Sequence, residues 1–148
     1  MRTDAPLLKL AATDKTDLEV VSGVLQGAII PVGEMAYVLV DRAFVLVANR
    51  FRWEVGNTGK NGERVNAGVT FSNVMDVKCR GIDFRDRGAF LELLAIICEP
   101  EGGNCRPTVQ LTFSGDTAIR LQTTGLLCHL EDFGEPWPTN WRPEHAGK

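Results

Sequence analysis

The sequence predicts an α+β domain, mostly antiparallel β, folded as a small curved sheet or barrel with one N-terminal helix. Three observations carry that expectation. Only one segment spaces its apolar residues as a helix does; the rest of the chain alternates, or runs apolar, over strand lengths; and turn residues break those runs at short intervals. One helix beside roughly six to eight strands fits a pleckstrin-homology-like barrel, with an Sm-like barrel as second choice and the helix covering an open end or face.

The helix starts within Thr13-Asp14-Lys15-Thr16-Asp17-Leu18-Glu19. Asp14 or Thr16 can accept from free backbone N–H groups, and Thr16-x-x-Glu19 fits a capping box. Leu18, Val21, Leu25 and Ala28 then form one apolar stripe, and Pro31 with Gly33 stops the helix. Residues 37–40 and 44–54 read as strands joined by a tight turn at Asp41-Arg42-Ala43. Asn57-Thr58-Gly59-Lys60-Asn61-Gly62 is a turn cluster. Strands at 65–71 and 74–82 follow, with a bulge or bend at Ser72-Asn73.

Residues 83–88 form a charged loop, and 90–99, apolar on both alternating faces, read as a doubly covered central strand. A Gly-rich loop at 100–107 leads to 108–113, where Val109, Leu111 and Phe113 face inward and Thr108, Gln110 and Thr112 outward. Gly115-Asp116 is a hairpin turn before strands at 118–124 and 126–133, which Gly125 could make one long bent strand. No repeat or composition shift divides the chain. Residues 1–133 read as a single globular domain, and 134–148 as an irregular tail partly docked by Trp137 and Trp141.

With 148 residues, 44% hydrophobic and 24% charged, the chain is long enough to bury about 70% of its unfolded surface without staples. Its net charge of −3 argues against nucleic acid as a partner. No run approaches the roughly 18 apolar residues of a membrane span, and the N-terminus lacks the apolar core of a secretory signal. The four cysteines, Cys79, Cys98, Cys105 and Cys128, contain no C-x-x-C pair. These features read as a cytoplasmic protein with reduced thiols.

Chemistry-bearing motifs are sparse. His129 and His145 are the only histidines, without metal-ligand spacing, so no metal is expected. There is no G-x-S-x-G elbow and no phosphate-binding loop; 56–62 has glycines and a lysine but neither the spacing nor a following helix. No cofactor and no catalytic set emerge. An enzyme would need a site around His129, Cys98 or the acids near Asp83, and thiols in apolar strands are inert.

Asn49-Arg50-Phe51-Arg52-Trp53-Glu54 is the most informative stretch. Alternation puts Val45, Val47, Asn49, Phe51 and Trp53 on one face and Arg50, Arg52 and Glu54 on the other, together with Phe44 and Leu46. Arg80 ends a later strand whose outward set is Asp76, Lys78 and Arg80, with Arg85 and Arg87 next. Two readings compete. Arg50, Arg52 and Arg80 could converge on a phosphate or carboxylate, with Trp53 stacking on the ligand. Alternatively Glu54, Asp76, Asp83 and Asp86 neutralise the arginines in ordinary pairs, each contributing at most about 1 kcal/mol. The acids are interleaved with the arginines, which favours neutralisation.

Asp17-Leu18, Pro31-Val32-Gly33-Glu34-Met35, Asn49-Arg50-Phe51-Arg52-Trp53-Glu54, Glu63-Arg64-Val65, Arg80-Gly81-Ile82, Leu93-Leu94-Ala95, Gly115-Asp116, Ala118-Ile119 and Trp137-Pro138 together resemble a family of small bacterial proteins known only as a domain of unknown function. The resemblance covers about residues 8–138, and N-R-F-R-W-E is its most specific part. It implies one self-contained cytoplasmic domain and supplies no activity. The expectation is therefore a non-enzymatic binding or interaction module, with a protein partner or a second copy. Anion recognition by the arginines, of a phospholipid headgroup, a nucleotide or an RNA phosphate, is the alternative, and an enzyme near His129 the third.

Overall fold

A computed structural model describes residues 6–54, 62–101 and 106–139. Of the turn cluster expected at 57–62, residues 57–61 lie outside those described and Gly62 opens a strand; Cys105, Trp141 and His145 also lie outside.

Strand β1 (Lys9–Ala12) runs straight into helix α1 (Lys15–Val24). Asp14 is the N-cap, its carboxylate accepting from the Asp17 N–H at 2.8 Å. Leu18, Val21, Leu25 and Ala28 are all buried, as their spacing predicts, although the last two lie past the helix end. The chain continues through β2 (Ile29–Pro31), β3 (Met35–Val38), β4 (Ala43–Phe51), β5 (Gly62–Phe71) and β6 (Val74–Arg80). It ends with β7 (Phe90–Glu101), β8 (Arg106–Phe113), β9 (Thr117–Thr123) and β10 (Cys128–Thr139).

All pairings between these strands are antiparallel, in the order β1-β10-β5-β4-β2-β7-β8-β9-β6, with β3 on β4. This corrects the barrel expectation: the sheet is curled but open, and β1 and β6 are its two ends. Helix α1 packs against both β1 and β7. The ten strands exceed the expected number because β1 and β2 are too short to show a period of two.

Three further expectations change. Strand β7 is covered on one face only: Leu93, Ile96 and Cys98 are buried, while Phe90, Leu94 and Ile97 are exposed. Residues 134–139 are not irregular, because Gly134, at φ +78°, takes up a bulge and β10 then resumes pairing with β5, Trp137 opposite Arg64. Strands β9 and β10 are not one bent strand; β9 pairs with β8 and β6, and β10 with β1 and β5. The turns hold. Arg42 adopts positive φ at the expected tight turn and Asn73 at the expected bulge or bend, and Gly115-Asp116 closes the β8–β9 hairpin.

Candidate functional site

The end of β4 carries the arginine motif, and its geometry begins with strand phase. Phe44, Leu46, Ala48 and Arg50 are buried in alternation, so the arginine face is the inner one. An interior guanidinium must find acceptors for all of its N–H groups. Arg50, 0% exposed, finds them in two carboxylates and a carbonyl. Its Nε donates to Asp132 Oδ1 at 2.8 Å and Nη2 to Asp132 Oδ2 at 2.7 Å. Nη2 and Nη1 also donate to Glu54 Oε2 and Oε1 at 2.7 and 3.0 Å, and Nη1 to the Phe51 carbonyl at 3.2 Å. Every donor of the fork is engaged.

Burial alone would lower the pKa of this guanidinium, but the hydrogen bonds and charges of Asp132 and Glu54 outweigh it and raise the pKa above the ordinary value. Glu54 shows the converse: burial pushes its carboxyl up, and the bonds from Arg50 and the charges of Arg50 and Arg52 bring it below the usual value. Arg52 donates through Nη1 to Glu63 Oε1 at 2.7 Å and through Nη2 to the Pro6 carbonyl at 3.4 Å. Arg64, also buried, reaches the Asn49 carbonyl at 2.8 Å.

The cluster is a clasp. Asp132 also accepts from the Leu8 N–H at 2.8 Å, while its own N–H donates to the Leu8 carbonyl at 2.9 Å. One carboxylate thereby ties β4, β10 and the segment entering β1. Trp53 is half-buried, its ring edge-on to Phe51 with centroids 4.8 Å apart, and its indole N–H donates to the Gln26 carbonyl at 3.3 Å.

Arg80 is elsewhere. On β6 it is exposed, with Asp116 at 3.3 Å. The structure therefore brings Arg50, Arg52 and Trp53 together and leaves Arg80 with Lys78, Gln110 and Arg120 around a shallow groove of about 200 Å³. Among the acids expected to neutralise arginines, Glu54 does so, and Asp83 holds Arg85 at 3.1 Å. Sequence reasoning missed Asp132, Glu63 and Arg64. Asp132 is 82 positions from Arg50, but one signal was available: it stands in phase with Cys128 and Leu130 on the inner face of β10.

His129 faces outward on β10, opposite Thr70 and Ala11, in a dish of about 270 Å³ with Gly68, Glu131 and Phe133. Cys98 lines a different pocket, about 350 Å³, with Thr13, Asp14 and Lys15 at the start of α1. Burial pushes its thiol pKa up, and that of Cys128 up to about 12. Among the described residues, no cysteine lines the His129 dish.

Residues 8–145 match the family described as protein of unknown function, DUF2948. The chain belongs to that family. No curated protein and no solved structure matches it. Among the described residues of this DUF2948 chain, no helix is long and apolar enough to cross a membrane.

A second feature, apart from the clasp, is the edge of β6, an end strand among the described residues. Its ladder joins β9 on one side, Asp76 opposite Gln122, Val77 opposite Leu121 and Lys78 opposite Arg120. At its start the Val74 N–H donates to the Arg42 carbonyl at 2.8 Å, and the Tyr37 hydroxyl donates to the Val74 carbonyl at 2.6 Å. Beyond Val74, no other strand of the described residues pairs with that edge.

Proposed function

We propose that this DUF2948 chain is a non-enzymatic interaction module that takes a partner on the open edge of β6. The observation that carries this is an end strand of seven residues beside exposed apolar side chains. Met75 is 45% exposed, and Leu39 and Val40, at 64% and 88%, stand on the turn that touches the start of β6 through Arg42. A row of free backbone donors and acceptors next to such side chains is a template for strand addition. The other end strand, β1, has only four residues and offers a shorter template.

The same reading places the module in the bacterial cytoplasm, in keeping with free thiols at Cys79, Cys98 and Cys128. It takes the curled sheet as pleckstrin-homology-like rather than Sm-like, which its strand number and lengths suit better. Anion recognition by Arg50, Arg52, Arg80 and Trp53 has weaker support, since Arg50 has spent its donors on the clasp and Arg80 stands apart from it.

The test is Met75→Lys, which adds a charge to the edge without touching the core. Sedimentation velocity and chemical cross-linking should show associated species for the wild type that the variant loses, with unchanged circular dichroism. Identical behaviour of the two proteins, in self-association and in capture of other proteins alike, would end this reading.

A further inference from the structure

The partner chemistry can be read from β6 itself. Its sequence is Val74-Met75-Asp76-Val77-Lys78-Cys79-Arg80. Val77 and Cys79 stand opposite the buried Leu121 and Ile119, so they lie on the inner face of the sheet, and Asp76, Lys78 and Arg80 on the outer face. On that outer face Lys78 is directly opposite Arg120, and like charges so placed are destabilising. Arg120 turns to the Gln110 amide oxygen at 3.1 Å, and Arg80 has Asp116. Among the described residues neither Lys78 nor Asp76 has an opposite charge within ion-pair distance.

Resting on the edge reading above, we infer that the partner is a second copy of this chain, joined by antiparallel pairing of β6 with β6 about a two-fold axis at Val77. A closed two-fold contact places one patch against itself, so residue and partner exchange roles across the axis. In this register Val77 meets its own counterpart. Asp76 of each copy meets Lys78 of the other, twice over. Each Lys78 then has a carboxylate on one side to offset Arg120 on the other. The neighbouring register, centred on Lys78, would set Lys78 against itself and is disfavoured by the same rule. Pairing begins at Asp76, because the register of β6 shifts between Val74 and Asp76 and the Val74 N–H is already held by the Arg42 carbonyl. The exposed Leu39 and Val40 flank the contact and add apolar area to a short ladder.

The experiment is a charge exchange on the full chain, read by sedimentation equilibrium and by circular dichroism. Wild type should dimerise in a concentration-dependent way. Asp76→Lys and Lys78→Asp should each weaken the dimer by about tenfold or more, and Asp76→Lys/Lys78→Asp should restore it. Lys78→Asp should also raise the melting temperature of the monomer, since it relieves Arg120. Val77→Cys in a Cys79→Ala background should form an intermolecular disulfide, because opposed residues of an antiparallel pair lie within bridging distance.

Failure of the double exchange to restore association, or absence of the Val77→Cys cross-link, overturns the two-fold register. A monomer that still captures a different protein through an edge lost in Met75→Lys overturns the second copy while the edge reading stands. Met75→Lys without effect overturns the edge reading itself. A monomer whose melting temperature rises with inorganic phosphate, and does so only while Lys78 is present, also overturns the inference and assigns the outer face to an anion.

Discussion

Arg50 shows how far a side chain's surroundings decide what it does. A guanidinium matches phosphate and carboxylate equally well, so the residue type leaves its partner open. Here Asp132, with its side chain fully buried, and Glu54 occupy the fork from two sides. Such a pair adds little over an apolar replacement, yet removing one partner strands a charge in the interior. Asp132→Ala is therefore expected to cost about 3–5 kcal/mol in urea denaturation. Arg50→Met/Asp132→Leu should recover most of that loss, because neither charge then remains. A double variant as unstable as Asp132→Ala would show that the clasp works by packing and backbone contacts rather than by charge. The phase of Arg50 with Phe44 and Leu46 was legible in the sequence. Its partner was not, since strand alternation tells which face a residue takes and says nothing about what crosses from a strand 82 positions away.

Among the elements, those that punctuate themselves were the readable ones. Helix α1 has a cap and a stripe: the stripe is buried as its spacing predicts, and Asp14 is the cap, while Thr16 lies inside the helix, so the expected Thr16-x-x-Glu19 box does not form. Asp14→Ala should lower stability by about 1 kcal/mol in the same urea assay, and Asp14→Asn should keep most of it. Equal losses for both would mean that the carboxylate serves something other than the Asp17 N–H. The hairpin at Gly115-Asp116 was also plain, because a turn that needs positive φ at two successive positions leaves few residue choices. Strand β7 misled for a physical reason. Phe90, Leu94 and Ile97 are apolar yet exposed, and a strand with an apolar outer face cannot be told by composition from one covered on both sides. Strands β1 and β2, of four and three residues, owe their existence to β10, β4 and β7 rather than to any pattern of their own.

At the scale of the molecule the pairing is dominated by distant partners. The first strand lies on the last, and β5 is held between β4 and β10. Sheets assembled from such contacts fold slowly, in about milliseconds to seconds, because loop closure precedes the reward. Cys128 reports on the whole assembly. It is completely buried at the junction of β10 with β1 and β5, opposite Ala12 and Phe71. Its labelling by a small thiol reagent should track global unfolding across a urea titration, while the exposed Cys79 reacts in the native state. Reaction of Cys128 well before the unfolding transition would mean that the β1–β10 pair opens on its own.

That junction has a bearing on synthesis. A ribosome releases β4 long before β10, so Arg50 leaves the exit tunnel some eighty residues ahead of Asp132. Until the final strand emerges, β1 has no bonding neighbour and β5 lacks one of its two. Until then the nascent chain holds a guanidinium with Glu54 but not Asp132 to answer it, together with two naked strand borders, and its half-built sheet is what chaperones would meet.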